Sequence, residues 1–261
     1  DVRKYFLAAV ALFLVVSLTT VGVVGHRYSK RTEIVGPNVL IIVWDTVRAD
    51  RMSLYGHSRP TTPKLEQIAA ESVVFDRAIS PAIWTVPSHA SIFTGMSVTD
   101  HGTNVRHRWV DEKHLLMAEW FGANGYETWA FSANPNLGPH TVNLLQGFDT
   151  IHVSWRGVWG KKVLDVTKEK LIDRDRSTEI SPSFAGGQVQ DVAHYRWNAA
   201  PVSRLAFLSW LKKRRRSRPF LAYINMMEAH RPRVPTVHAR DQAIGDPELI
   251  ELGLATEVTE Y

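Results

Sequence analysis

The sequence predicts an α/β fold with a mostly parallel central sheet flanked by helices, and three observations support this. Apolar runs rich in β-branched residues alternate with segments whose apolar residues recur at helical spacing. The run Val39–Trp44 is apolar throughout and is followed by Asp45, as expected for a buried parallel strand that ends at the rim of a sheet. With 44% hydrophobic residues among 261, the chain can build a sizeable core.

The elements are expected in a regular order along the chain. After the strand Val39–Trp44, Thr62 opens a helix over 63–70, and Gly125 ends a helix over 113–124. The remaining expected elements are strands over 73–75, 128–132 and 220–224 and helices over 88–93 and 201–211. From 152 to 197 the alternation stops, and we expect an insertion or lid over a substrate pocket, with a solvated surface excursion as the alternative.

The first 30 residues are predicted to be a membrane anchor with its flanks, followed by a linker over 31–36. Residues 5–25 carry no charged side chain, and a helix of this length can cross a bilayer. A signal anchor fits this long stretch better than a cleaved signal peptide, and a buried core helix is the least favoured alternative. Basic residues flank the stretch on both sides and give no orientation.

The positive charge of the chain does not favour nucleic acid as a partner. The formal net charge of +5 comes partly from five consecutive basic residues at 212–216. They follow the predicted helix 201–211, where cations interact favourably with the negative end of the helix. A nucleic-acid or acidic-lipid patch is the alternative interpretation. The chain has no cysteine, so disulfides and thiolate ligands are excluded.

A hydroxyl group at a helix start is the most informative local motif. Residues 84–95 read Trp-Thr-Val-Pro-Ser-His-Ala-Ser-Ile-Phe-Thr-Gly, which places Thr85 directly before a Pro-Ser turn and a short helix. Pro87 suits the first turn, and Ser88 is expected to cap it. Unpaired backbone N–H groups at a helix start favour phosphate or sulfate, so the motif is typical of an anion-ester site.

Several motifs in a fixed order resemble the N-terminal half of the catalytic domain of the sulfatase family, within the alkaline phosphatase superfamily. They are Asp45-Thr-Val-Arg-Ala-Asp50, Leu54-Tyr-Gly56, Thr62-Pro-Lys-Leu65, Trp84-Thr-Val-Pro-Ser-His-Ala90, Gly125-Tyr-Glu-Thr128, Gly147-Phe-Asp149 and His230-Arg-Pro232. The resemblance covers residues 37–261. It implies further metal ligands in sequence after Tyr261, so we expect these 261 residues alone to bind metal poorly and to expose apolar sheet surface.

The resemblance implies a divalent metal ion held by Asp45 and Thr85. It favours Ca²⁺, with Mn²⁺, Mg²⁺ and Zn²⁺ as alternatives. Thr46 replaces a second aspartate of the family motif, which removes one ligand. Thr85 stands where sulfatases carry the Cys or Ser that is oxidised to formylglycine, and threonine cannot give that aldehyde because its Cβ bears a methyl group. No formylglycine is expected, and direct attack by the Thr85 oxygen remains.

The same resemblance implies roles for three further residues. His230 matches a His-x-Pro element whose histidine contacts the transferred group and the leaving oxygen. His89 stands where the family motif has an arginine, and it either stabilises an anion in a titratable way or packs against its helix. Asn134 is the one polar residue expected to line the pocket, because the lysine of the family's Gly-Lys-Trp-His segment has no match here.

Other polar residues are expected to be structural. Asp100-His101-Gly102 copies the family's metal motif but follows the helix after Thr85 instead of a late strand, so we assign it to a loop. Arg48 and Asp50 are expected to stabilise local structure. The histidines expected at the surface or in the core are His107, His114, His140 and His152.

The favoured function is a metal-dependent hydrolase of the sulfatase family that acts on sulfate or phosphate esters. A membrane-anchored phosphotransferase that modifies an envelope glycan or lipid is the first alternative, and a degenerate non-catalytic binding protein is the second. The expected partners are the ester substrate and the membrane, with no nucleic acid. The catalytic domain is expected to be extracytoplasmic.

Overall fold

A parallel sheet of four strands organises the computed structural model, which describes residues 36–172 and 199–230. The strands are β1 (Val39–Trp44), β2 (Glu127–Ser132), β3 (Thr150–Val153) and β4 (Phe220–Met226). Their order in the sheet is β1-β4-β2-β3, and each neighbouring pair is parallel. The predicted mostly parallel sheet is confirmed, and β4 runs beside β1.

Helices pack on both faces of this sheet, and the described residues form six α-helices in all. They are α1 (Pro63–Ala69), α2 (Thr85–Thr94), α3 (Val98–His101), α4 (Met117–Ala123), α5 (Gly157–Ile172) and α6 (Ala199–Lys213). Successive β4 side chains enter opposite layers, because side chains alternate along a strand. Tyr223 joins the layer that contains Phe93 of α2, while Ile224 joins the layer that contains Ala206 of α6. The central strand β4 is therefore buried on both faces, as parallel strands usually are.

The strand β1 differs from β4, because only one of its faces is covered. Val39, Ile41 and Val43 pack against the layer of α2. Leu40, Ile42 and Trp44 point to the other face and are 44%, 47% and 43% exposed. The expected exposure of apolar sheet surface is thus found at β1, which lies at one end of the described strand order.

Two predicted segments differ from the structure. The strand expected at 73–75 does not form: Val73 and Phe75 are 81% and 70% exposed, and no described strand pairs with them. A strand needs a hydrogen-bonded neighbour, and apolar residues alone do not supply one. The segment 152–197 begins with the end of β3 and the helix α5, so its first part is regular, and its role as an insertion or lid stays a prediction. Its remainder, 173–197, lies outside the described residues.

Two helices begin three or more residues away from the predicted start, because their first turns are stabilised differently. In α2 the Ser88 N–H donates to the Trp84 carbonyl at 3.3 Å, so Ser88 lies inside the helix and does not cap it. In α4 the Glu119 carboxylate accepts from the Leu116 N–H at 2.8 Å, which closes the N-terminus just before Met117. The expected start at residue 113 is therefore too early.

The predicted membrane anchor over 1–30 and all but the last residue of the predicted linker over 31–36 lie outside the described residues. Among the residues that the structure does describe, no helix combines the length and apolarity needed to span a bilayer.

Candidate functional site

The carboxyl ends of β1 and β4 meet at one rim of the sheet. Asp45 directly follows β1, and its N–H donates to the carbonyl of Met226, the last residue of β4, at 2.9 Å. The Asp45 side chain is largely buried, at 9% exposure. Ligands of open parallel sheets bind at this rim, where strand ends and helix starts converge. The helix α2 brings Thr85 to it as its first residue.

One amide group joins the two residues predicted to be at the centre of the site. The Asn134 Nδ2 donates to Asp45 Oδ2 at 2.8 Å and to Thr85 Oγ1 at 3.2 Å. The Asn134 Oδ1 accepts from the Asn136 N–H at 3.0 Å, which fixes the orientation of the amide. Because both oxygens accept from the same nitrogen, the distance between Asp45 Oδ2 and Thr85 Oγ1 cannot exceed the sum of these two hydrogen-bond lengths. The structure brings together Asp45, Thr85 and Asn134.

A second buried amide near Asp45 was missed by the sequence analysis. The Asn225 Nδ2 lies 3.5 Å from Asp45 Oδ2, and the side chain is fully buried. Its Oδ1 has no hydrogen-bond partner among the described residues. The sequence does contain a signal for Asn225, because it is an amide within the largely apolar strand Phe220–Met226. A buried polar side chain of this kind requires a hydrogen-bond partner.

Thr46 connects the end of β1 to the segment that leads to His230. The Thr46 hydroxyl donates to the Ala229 carbonyl at 3.0 Å, and the Thr46 φ is +61°. A left-handed conformation is costly for a β-branched residue and is common near functional sites. The His230 N–H donates to the Met227 carbonyl at 2.9 Å, so a tight turn follows β4. The role of His230 toward a leaving oxygen stays a prediction, and Pro232 lies outside the described residues.

His89 is buried behind Thr85. Its Nδ1–H donates to the Thr85 carbonyl at 2.8 Å, and the ring meets the rings of Phe93 and Tyr223 edge-on. Burial lowers the pKa of His89, which favours the neutral imidazole at pH 7. The Nε2 has no hydrogen-bond partner among the described residues. His89 thus packs against its helix and does not supply the permanent charge of an arginine.

The phenol of Tyr223 closes the inner side of this cluster. The side chain is fully buried, and its hydroxyl has no hydrogen-bond partner in the described part of the chain. Burial and the nearby Asp45 carboxylate raise the pKa of Tyr223 well above its ordinary value, so the phenol stays protonated. The wall behind Asp45 and Thr85 is therefore uncharged.

His101 is held by structural contacts, as its position in the sequence predicted. Its Nδ1 accepts from the Thr103 N–H and its Nε2–H donates to the Ser91 hydroxyl, both at 3.0 Å. Asp100 and His101 belong to the one-turn helix α3, so the expectation of a loop is wrong in detail. Gly102 adopts φ +71° and ends this helix after one turn.

The remaining polar residues singled out in the sequence lie at the surface or are partly buried, as expected. Arg48 pairs with Asp50 at 2.7 Å on the surface, which fits a local structural role. Exposed His107 pairs with Asp111 at 3.1 Å. His140 is exposed, His114 is partly buried, and His152 is partly buried with a pKa that burial lowers.

The chemistry of Asp45 and Thr85 fits part of a metal site. Carboxylate and hydroxyl oxygens are ligands for hard divalent cations, which take about six oxygens. Across residues 36–172 and 199–230, no group of three or more His, Asp or Glu side chains is arranged to hold a metal ion. The described residues therefore offer two ligands, Asp45 and Thr85, and not a complete shell.

Two curated relatives share segments of this chain. An ulvan-active sulfatase of Formosa agariphila is 30% identical over 118 residues, which is 43% of this chain and 23% of that protein. A protein of Escherichia coli K12 described as the putative transferase YhbX is 42% identical over 62 residues, 24% of this chain and 12% of that protein. The chain thus matches less than a quarter of the length of either relative.

A solved structure and a family model extend the match over most of the chain. The phosphonate monoester hydrolase of Agrobacterium radiobacter superposes with a TM-score of 0.57 at 22% identity, covering 78% of this chain and 44% of that one. This likeness shows an alkaline-phosphatase-like fold. The Sulfatase family model matches residues 37–251. This chain therefore belongs to the sulfatase family.

Proposed function

We propose that this chain carries the nucleophile and the first metal ligand of an enzyme that cleaves sulfate or phosphate esters. The observation that carries the proposal is the Asn134 amide, which contacts both the Asp45 carboxylate and the Thr85 hydroxyl. Buried amides of this kind hold reacting groups in one orientation before the substrate arrives. Both hydrolysis and transfer fit the family and its relatives.

In the proposed reaction the Thr85 oxygen attacks the sulfur or phosphorus atom of the ester. The bond to the ester oxygen breaks, the alcohol leaves with a proton, and the sulfate or phosphate group stays on Thr85 until water or an acceptor alcohol removes it. Asp45 and Thr85 would hold a divalent cation, which would supply positive charge that favours the deprotonated Thr85 oxygen, and the Thr85 proton passes to solvent water. Asn134 orients both oxygens, and His230 is assigned the proton transfer to the leaving oxygen.

Transfer is the second candidate. A segment of the chain is 42% identical to a putative transferase, and the predicted anchor at 1–30 favours an acceptor in the envelope. In that case the group on Thr85 passes to the hydroxyl of a glycan or lipid, and the domain lies outside the cytoplasm. A non-catalytic binding protein is the third candidate, because Thr46 and His89 replace residues of the family motif.

The experiment uses the full-length protein with aryl sulfate and aryl phosphate esters in the presence of Ca²⁺, Mg²⁺, Mn²⁺ or Zn²⁺. We expect Thr85→Ala to lower kcat by about 10³ or more, because the nucleophile is removed. Thr85→Ser keeps the hydroxyl and is the matched control, and it should keep measurable turnover. Mass spectrometry of quenched reactions should find the sulfate or phosphate group on Thr85.

The outcomes separate the three candidates. Added glycan or lipid acceptors raise the rate of product formation for a transferase and leave it unchanged for a hydrolase. Turnover that persists in Thr85→Ala contradicts the assigned nucleophile. A wild-type protein that binds the esters without any turnover supports the binding protein.

A further inference from the structure

The proposed reaction places a negatively charged ester beside a negatively charged carboxylate. The side chains that surround Asp45 and Thr85 bring no compensating positive charge: Asn134 and Asn225 are amides, and burial favours the neutral form of His89. The nearest arginine in sequence, Arg48, makes two hydrogen bonds to Asp50, at 2.9 and 2.7 Å, and is thereby neutralised. A divalent cation at Asp45 and Thr85 would offset the carboxylate charge, and a cationic side chain beyond this group would bind the remaining anionic oxygens of the ester.

Arg108 is a cation that contacts Trp84, the neighbour of Thr85, and that no carboxylate of the described residues neutralises. Its guanidinium carbon lies 5.4 Å from the ring centroid of Trp84, the residue directly before Thr85. This is the distance of a cation–π contact, which is favourable and leaves the N–H groups at the edge of the guanidinium free to bind an anion. Arg108 is exposed and forms no ion pair in the described part of the chain.

The backbone holds Arg108 in place from both sides. On one side Asn104 builds a turn, because its N–H donates to the His107 carbonyl at 2.7 Å and its Oδ1 accepts from the Arg106 N–H at 2.9 Å. On the other side the fully buried Val110 donates its N–H to the Val142 carbonyl at 3.1 Å. Hydrogen bonds therefore hold both ends of the short segment 104–110, which carries Arg108 against Trp84.

We propose that Arg108, stacked on Trp84, binds the anionic oxygens of the sulfate or phosphate ester at the entrance of the site. This inference rests on the proposed function and deepens it, because it assigns the residue that selects an anionic substrate. Guanidinium groups bind sulfate and phosphate through paired N–H···O bonds, which a lysine cannot reproduce. A permanent cation at residue 108 compensates for the absence of one at residue 89.

The test measures sulfate binding and ester kinetics separately in the full-length protein. Calorimetric titration with sodium sulfate, in the presence of MgCl₂, gives the Kd for the anion, and aryl sulfate turnover gives kcat and KM. We expect Arg108→Gln to raise the Kd for sulfate and the KM about tenfold and to change kcat less than threefold. Arg108→Lys should recover only part of the sulfate affinity.

Arg106→Gln is the matched control, because Arg106 belongs to the same exposed turn and has no ring contact among the described residues. It should change the Kd for sulfate less than twofold. A wild-type protein that binds no sulfate, an unchanged Kd in Arg108→Gln, or an equal change in Arg106→Gln overturns the inference. Turnover that persists in Thr85→Ala, together with a Kd for sulfate that still depends on Arg108 in the otherwise wild-type protein, would contradict the nucleophile assignment alone, so the two failures are distinguishable.

Discussion

The two buried histidines His89 and His101 have similar burial but differ in how their ring nitrogens are hydrogen-bonded. His89 and His101 are 4% and 1% exposed, and burial lowers the pKa of both. His101 has a hydrogen-bond partner on each ring nitrogen, Ser91 and Thr103. His89 has a partner on Nδ1 alone, and its Nε2 is buried without one in the described structure. A fully paired histidine stabilises the fold, whereas an unpaired one lowers stability and is tolerated next to a functional site.

The largest effect is expected for His101→Ala, which should lower the free energy of unfolding by about 3 kcal/mol. The substitution leaves a cavity and removes the partners of the Ser91 hydroxyl and the Thr103 N–H. Chemical denaturation with urea at pH 7.5 measures the change. A loss below about 1 kcal/mol would contradict a structural role for His101.

A smaller loss, about 1.5 kcal/mol, is expected for His89→Ala in the same measurement. The cavity and the lost hydrogen bond to the Thr85 carbonyl lower stability, but removal of the unpaired Nε2 also relieves a desolvation cost. His89→Asn can keep a donor near the Thr85 carbonyl and serves as the control. A loss equal to that of His101→Ala would remove the difference between the two histidines.

Acid should destabilise the protein through both histidines. Because burial lowers their pKa values in the folded state, only the unfolded chain takes up protons as the pH falls below about 6.5. The free energy of unfolding should then fall by about 1.4 kcal/mol per pH unit for each of the two, at pH values above the folded pKa. Urea denaturation between pH 5 and 7.5 should give a smaller slope for His101→Ala than for the wild type. Equal slopes would contradict the neutral, buried state of His101.

The smallest effect is expected for His107→Ala, whose side chain is exposed and pairs with Asp111 at the surface. Such pairs contribute little, so the free energy of unfolding at pH 7.5 should change by less than about 0.5 kcal/mol. This substitution shows the background against which the two buried histidines are compared. A loss above 1 kcal/mol would show that exposure is a poor guide in this protein.

Much of the fold could be predicted because its signals are local. The strand β1 with Asp45 at its end, the glycine after α4 and the parallel sheet all follow from residue type and period. The short strand β3, Thr150–Val153, was missed because its second half falls in the segment 152–197, where the alternation of apolar patterns stops. The strand expected at 73–75 was predicted from β-branched residues, but pairing decides whether a strand forms.

The sequence by itself determined the family, the strand that ends at Asp45 and the helix that begins near Thr85, because motif order and apolar periodicity are carried by neighbouring residues. Only the tertiary structure decided that Asn134 contacts both of these residues and that Asn225 lies beside Asp45. It also decided the contact of Arg108 with Trp84 and the neutral state of His89. The contacts join residues far apart in the chain, and the neutral state of His89 depends on burial. The β1-β4-β2-β3 order of the sheet and the packing on its faces decide both the contacts and the burial.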